Sequence, residues 1–304
     1  MAFKNFIPKH FPFFLLLILT GCQVNYPLMQ PWKNKKEQKV YTWQEGKDIL
    51  KIEYAGENLQ PTFYRNGIPQ EQNFNIQSYY FDTGNGRKIN GWLLKPKNQK
   101  SNKSIFGLHG NAGNLATHLE NFSVFTEYGF QVFLFDYSGY GFSEGKTTRK
   151  NAMEDVKEAF RFFENIDEVK NTSKIIYGQS LGGNFAVPVA AENQQKIEGL
   201  VLEGTFLDVD AVANHYIPGV GKLVVKNNFR NAEFIKKFTK PVLIIHSKDD
   251  KVVPIKLGKK LYSEFRTDKE FLEINDCHLC GHQKYGKTIS DKINMLFLGS
   301  QLLK

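Results

Sequence analysis

The sequence predicts an α/β protein built on a mostly parallel central sheet with helices on its faces. Short apolar runs recur at Ser104–His109, Gln131–Tyr137, Lys174–Tyr177, Gly199–Glu203, Pro241–His246 and Glu270–Ile274. Runs this short, bounded by polar or glycine-containing segments, suit strands buried on both faces. Segments of helical period lie between them; in Asn151–Asn165, Val156, Ala159, Phe160 and Phe163 share one face. Strand and helix in alternation give crossover units, and crossover units give a parallel sheet. With 304 residues, 41% hydrophobic and 14% aromatic, the chain can fill a sizeable core.

The first element is an export signal. Lys4, Lys9 and His10 precede the apolar run Phe11–Leu19, and Thr20, Gly21 and Cys22 follow. A basic segment, a short apolar core and small residues are read by the secretion machinery; nine apolar residues fall short of the roughly 20 that a spanning helix needs. Leu19–Cys22, "LTGC", resembles the bacterial lipobox. That resemblance implies loss of residues 1–21, acylation of Cys22 with fatty chains such as palmitate, and a membrane anchor. An ordinary secretory signal or a signal anchor is the alternative. The net charge of +9 reads as a solvated surface, with attraction to anionic lipid as the second reading. No nucleic-acid-binding motif is present, so no nucleic-acid partner is expected.

Residues 22–73 read as a lipidated N-terminus and tether. "QPWKNKKEQK" is polar and basic, Pro31 interrupts it, and Val40–Tyr54 offers at most a short element. The folded domain is expected over 74–304. It begins with two strands around the turn "TGNG" and continues with the runs above.

Ligands in parallel sheets bind at the carboxyl ends of the strands, so the residues after each run carry the chemistry. The pattern G-x-S-x-G, which can hold a nucleophilic serine, occurs twice, as "GFSEG" (Gly141–Gly145) and within "YGQSLGG" (Tyr177–Gly183). Ser180 follows a strand run directly and opens a helical one. Gly178 and Gly182 remove side chains that would clash in a tight strand–turn–helix elbow. The helix start also aims N–H groups, Leu181 first, at developing negative charge. Ser143 lies in a long polar loop with no apolar helix after it and reads as a turn residue. A serine nucleophile needs a base, and the base an orienting acid. Asp249 and Asp250 follow the Pro241–His246 run; His278 and His282 follow the last one. Glu203, at another strand end, is a third candidate acid.

"LHGNAGN" (Leu108–Asn114), "DYSGYGFSEG" (Asp136–Gly145), "YGQSLGG", "PVLIIHSKDDKVVP" (Pro241–Pro254) and Gly281–His282 together resemble the α/β-hydrolase superfamily. They are most similar to its membrane-associated serine hydrolases, which include lysophospholipase-like and depalmitoylating members. The likeness runs from about Phe74 to the C-terminus with the motifs in family order. It implies an α/β-hydrolase fold with a small or absent lid and a triad of Ser180, Asp250 and His282. Asp249 is the alternative acid and His278 the alternative base. It also implies an oxyanion hole from the backbone N–H groups of Asn111 and Leu181, a structural His109, and Asn114 capping the next helix. Neither metal nor organic cofactor is implied.

The segment between the Glu203 and Pro241 strands is too short for a large cap. Ile217, Val220, Leu223, Val224 and Val225 could supply a small apolar wall beside an open site. The expected substrate is a small or lipid-like acyl ester or thioester, with amide or peptide cleavage, or binding of envelope partners without catalysis, as alternatives. The expected location is the bacterial cell envelope, on the outer membrane facing the periplasm in a Gram-negative host. Cys277 and Cys280, in "CHLC", would form a local disulfide or remain free thiols; zinc would need more ligands. A disulfide there would stiffen the approach to Gly281.

Overall fold

The computed structural model describes residues 29–97, 99–216 and 229–299. The expected signal, Cys22 and the apolar wall of 217–225 lie outside the described residues.

Among the described residues, fourteen strands follow in chain order: β1 (Gln30–Pro31), β2 (Val40–Glu45), β3 (Asp48–Ala55), β4 (Gln60–Arg65), β5 (Ile68–Pro69), β6 (Phe74–Asp82), β7 (Lys88–Pro96), β8 (Lys103–Leu108), β9 (Ala112–Gly113), β10 (Phe130–Phe135), β11 (Ser173–Gln179), β12 (Gly199–Glu203), β13 (Val242–Ser247) and β14 (Lys269–Ile274). The described α-helices are α1 (Leu115–Ser123), α2 (Arg149–Asn165), α3 (Leu181–Glu192), α4 (Val209–Tyr216), α5 (Asn231–Ile235), α6 (Ile255–Glu264) and α7 (His282–Ile293).

Eight strands form the central sheet in the order β14-β13-β12-β11-β8-β10-β7-β6. The six from β14 to β10 pair in parallel, and β7 and β6 add an antiparallel edge. Successive residues of a strand point to opposite faces, and both faces here are apolar. Phe106, Phe133 and Phe135 pack with α2 and α3 on one side, through Val156, Phe160, Phe163 and Phe185. Ile105, Val132 and Leu134 pack with α1 and α7 on the other, through Leu119, Phe122, Ile289 and Ile293. This two-sided burial is why the strand runs lack polar alternation.

The N-terminal region departs from expectation. Residues 40–69 are no tether: β2, β3, β4 and β5 form a four-stranded antiparallel sheet. The cause is a period-two pattern. In β3, Leu50, Ile52 and Tyr54 are buried while Lys51 and Glu53 are not. Ile52 and Tyr54 join Phe63 and Phe74 against Trp92 of the main sheet. Edge-on ring contacts fasten this junction, Phe63 to Trp92 at 6.5 Å and Tyr54 to Phe142 at 4.8 Å between centroids; such pairs add about 0.5–1.5 kcal/mol each beyond their buried area.

Candidate active site

Ser180 occupies the turn between β11 and α3 with φ 51° and ψ −118°. A non-glycine residue held there costs about 1–3 kcal/mol and persists only where its surroundings over-determine it. They do so here. The Ser180 N–H donates to the Glu203 carbonyl at 2.8 Å, and the Gly183 N–H donates to the Ser180 carbonyl at 3.1 Å. A Cβ on Gly178 would lie 2.5 Å from Gly183 Cα, and one on Gly182 would collide with the carbonyl oxygens of Leu108 and His109. The two glycines therefore let the helix start close onto the strand end, which lifts the Ser180 hydroxyl to the carboxyl edge of the sheet.

His278 stands over that hydroxyl. Its Nε2 lies 3.1 Å from Ser180 Oγ and its Nδ1 lies 2.7 Å from Asp250 Oδ2. A carboxylate can only accept, so Nδ1–H donates to Asp250 and the bare Nε2 accepts from the serine hydroxyl. The other Asp250 oxygen accepts the N–H groups of Val252 and Val253, both at 2.8 Å. His246 Nε2, which donates to the Val253 carbonyl at 2.7 Å, lies 3.4 Å from Asp250 Oδ2. Burial pushes the Asp250 carboxyl up, but hydrogen bonds from His246, His278 and the Val253 N–H outweigh it and hold the group below the usual carboxylate range.

The other candidates are placed elsewhere. His282, the base expected from sequence, does not reach Ser180. It is the first residue of α7, buried, with Nδ1 donating to the Leu279 carbonyl at 3.2 Å. Burial lowers its pKa and keeps the ring neutral. The cause is where α7 begins. A side chain at the helix start is committed to the core, whereas the loop after β14 carries His278 across the strand ends. Asp249 is exposed, its N–H donating to Ser247 Oγ at 3.1 Å. Glu203 is buried and accepts from the Tyr177 hydroxyl at 2.9 Å and Gln179 Nε2 at 2.7 Å. Ser143 is buried too. Its hydroxyl donates to the Asp136 carbonyl at 2.7 Å and accepts the Asn90 N–H at 3.0 Å, a turn role.

Cys277 and Cys280 are joined by a disulfide, Cα atoms 5.2 Å apart, and His278 lies inside the loop it closes. Leu279, also inside, has φ 58°. The sulfurs lie near an Asp276 carboxylate oxygen, but both are taken up by the disulfide, so this group is no metal centre.

The loop before α1 lies against the serine: a Cβ on Gly110 would sit 3.6 Å from Ser180 Cβ. Asn111 follows directly, and Leu181 is the first residue of α3, where N–H groups have no intrahelical partner. His109 is buried; its Nδ1–H donates to the Gly110 carbonyl at 2.9 Å. Burial and the neighbouring His118 push its pKa well down, so it is neutral and braces the loop. Asn114 caps α1 in a reciprocal box with Thr117.

Residues 99–232 match a family described as serine aminopeptidase, S33. The chain is 30% identical over 215 residues to the YfhR protein of Salmonella typhimurium, spanning 66% of this chain and 73% of that one. It is 28% identical over 231 residues to a protein of Danio rerio named lysophosphatidylserine lipase ABHD12, spanning 64% of this chain and 60% of that one. Among solved structures, Est1E of Butyrivibrio proteoclasticus with ferulic acid bound superimposes with a TM-score of 0.60 at 21% identity, over 74% of this chain and all of that one (100%). A Pyrococcus furiosus esterase gives 0.60 at 18% identity, over 73% and 90%. At these identities the solved structures speak for the fold.

Proposed function

We propose that this chain, which belongs to the α/β-hydrolase superfamily, is a serine hydrolase that cleaves acyl esters or thioesters through a covalent acyl-enzyme. The observation that carries the reading is the unbroken relay from Ser180 Oγ to His278 to Asp250, at 3.1 and 2.7 Å. As Ser180 Oγ attacks the substrate carbonyl, its proton passes to His278 Nε2. The tetrahedral oxyanion is met by the N–H groups of Leu181 and Asn111. Collapse expels the alcohol or thiol, which takes the proton from His278. Water repeats the sequence in reverse, its proton again held by His278 while the acyl group leaves as the acid. Asp250 stays ionised throughout and stabilises the imidazolium.

An ester substrate is supported by the lipase and esterases named among the similar proteins. Acylation of Cys22 would hold this site at a bacterial envelope membrane, close to lipid-borne acyl groups. The family match described as an aminopeptidase favours amide cleavage as a second reading, which would use the same three residues.

The test is a fluorophosphonate probe on the full chain in detergent, with the modified residue mapped by mass spectrometry. Turnover is measured in parallel on short- and long-chain esters, an acyl thioester and an aminoacyl amide. Labelling confined to Ser180, with ester turnover abolished in Ser180→Ala, is the expected result. A folded wild-type chain that neither labels nor turns over any of these substrates would sink the proposal. Amide turnover well above ester turnover would put the second reading first.

A further inference from the structure

Residues 29–34 belong to none of the strand–turn–helix motifs, yet they are tied to the loop beside Ser180. β1 runs parallel to β9, Gln30 opposite Ala112 and Pro31 opposite Gly113. The Gln30 N–H donates to the Asn111 carbonyl at 2.8 Å and the Trp32 N–H to the Gly113 carbonyl at 2.9 Å. On its other side the segment binds the glycine-rich loop after β10: Gly141 N–H donates to the Trp32 carbonyl at 2.9 Å, and Asn34 N–H to the Gly141 carbonyl at 2.7 Å. Asn114 Nδ2 reaches the Trp32 carbonyl at 3.3 Å and Asn34 Oδ1 at 3.2 Å. Buried Met29 anchors the leading end in the core. The segment is thus a strap laid across two loops.

The strap touches one critical group. The described peptide bonds are trans, so each carbonyl points opposite to the N–H that follows it. The plane before Asn111 is held by His109 Nδ1–H, which donates to the Gly110 carbonyl at 2.9 Å; this aims the Asn111 N–H away from the His109 ring. The plane after Asn111 is held by its carbonyl, which accepts both the Gln30 N–H at 2.8 Å and the Tyr140 hydroxyl at 2.5 Å. With both flanking planes fixed, the backbone of Asn111 cannot rotate without breaking a bond. Gly110 lacks a side chain, so the turn relies on such hydrogen bonds; the Ala112 carbonyl likewise accepts from His118 Nε2 at 2.6 Å.

We infer that the Met29–Asn34 strap is a positioning element of the oxyanion hole: the Gln30 N–H, bonded to the Asn111 carbonyl, holds the Asn111 N–H in the orientation that receives the oxyanion. The inference rests on the serine mechanism proposed above. It assigns the strap an effect on the transition state with little effect on substrate binding.

The test uses the full chain in detergent, with Gln30→Pro, which deletes the donor, and Tyr140→Phe, which deletes the other donor to the same carbonyl while keeping the ring. Complete loss of an oxyanion donor costs about 100- to 1,000-fold in kcat. Loosening it by one of two bonds is expected to lower kcat by about 10-fold, with KM changed less than about twofold. Affinity for a trifluoromethyl ketone, whose serine adduct carries an oxyanion, should fall in step with kcat. Gln30→Ala restores the N–H and should recover the rate. Folding is checked by thermal melting, and Tyr140→Phe keeps the test open if the proline variant does not fold.

Wild-type kcat and inhibitor affinity in folded Gln30→Pro and Tyr140→Phe would overturn the inference and leave the serine mechanism standing. A Gln30→Ala variant as impaired as Gln30→Pro would also overturn it, since the effect would then belong to the side chain. Failure of the wild-type chain to label at Ser180 would remove both.

Discussion

Removing His278 or His282 one at a time separates the relay at Ser180 from the motif Gly281–His282. His278→Ala removes the group that bridges Ser180 Oγ, at 3.1 Å, and Asp250, at 2.7 Å, the only one to do so among the described residues. A positioned general base contributes about 10²–10⁴-fold, and triad members acting as a unit reach about 10⁶. A loss of about 10⁴ in kcat is therefore expected, or about 5.4 kcal/mol of activation free energy at about 1.36 kcal/mol per decade. His282→Ala removes one hydrogen bond, to the Leu279 carbonyl at 3.2 Å, and the packing of a buried ring. That costs about 1–3 kcal/mol of stability and reaches catalysis only through the turn, so kcat should stay within about 10-fold of wild type. The two variants should thus differ by about three decades in rate. The assay is ester turnover with Ser180 labelling, read against a thermal melt of each variant. A folded His282→Ala protein that is inactive, beside a His278→Ala protein that keeps a tenth of its rate, would refute the assignment.

Reduction of the Cys277–Cys280 disulfide should lower kcat several-fold without abolishing folding, since the loop it closes carries His278; activity of Cys277→Ser/Cys280→Ser equal to wild type would reject this. Asp250 has a depressed carboxyl pKa in the fold, so its ionised form stabilises the native state above the unfolded value of about 3.9, and that contribution is lost as pH falls through the folded value. The stability gap between wild type and Asp250→Asn should therefore be constant from pH 7 to about 5 and narrow below about 4, as followed by denaturant melts; a gap that widens in acid would contradict the sign. Gly178→Ala should destabilise the fold by about 2–3 kcal/mol, because the new Cβ meets Gly183 Cα at 2.5 Å; an unchanged melt would mean the elbow can relax.

What could be read from the sequence follows how local each constraint is. The elbow at Ser180 is fixed by sterics within a few residues, so Gly178 and Gly182 announce it and dismiss Ser143. Asp250 is also local, since it follows a strand by three residues and is held by the N–H groups of Val252 and Val253. The histidine is not local. Which ring reaches the serine depends on where α7 starts and how the disulfide turn bends, and the pattern Gly281–His282 fixes neither. The sheet of residues 40–69 was hidden for another reason. Its outward positions include Thr42, Gln44, Lys51, Glu53 and Thr62, so a reading by average polarity sees a tether where the alternation of Leu50, Ile52 and Tyr54 makes a packed face.

The site's second-layer glycines explain why restraints outside the motifs are needed. A Cβ on Gly204 would lie 2.9 Å from His278 Cε1 and 3.0 Å from Leu279 Cδ2; one on Gly110 would lie 3.6 Å from Ser180 Cβ and 3.7 Å from Leu279 Cδ1. The two turns that flank the serine therefore approach over bare backbone, and Leu279 touches both. Such closeness leaves few side chains to interlock, and interlocking side chains are what normally keep a loop in one place. The restraints act on the backbone instead. A disulfide closes the His278 turn, the Tyr137 hydroxyl donates to the His109 carbonyl at 2.8 Å, and the Tyr140 hydroxyl and the Gln30 N–H share the Asn111 carbonyl. A catalytic constellation needs positions held to a fraction of an ångström. In this protein that tolerance comes from covalent and carbonyl-directed ties drawn from both ends of the described chain.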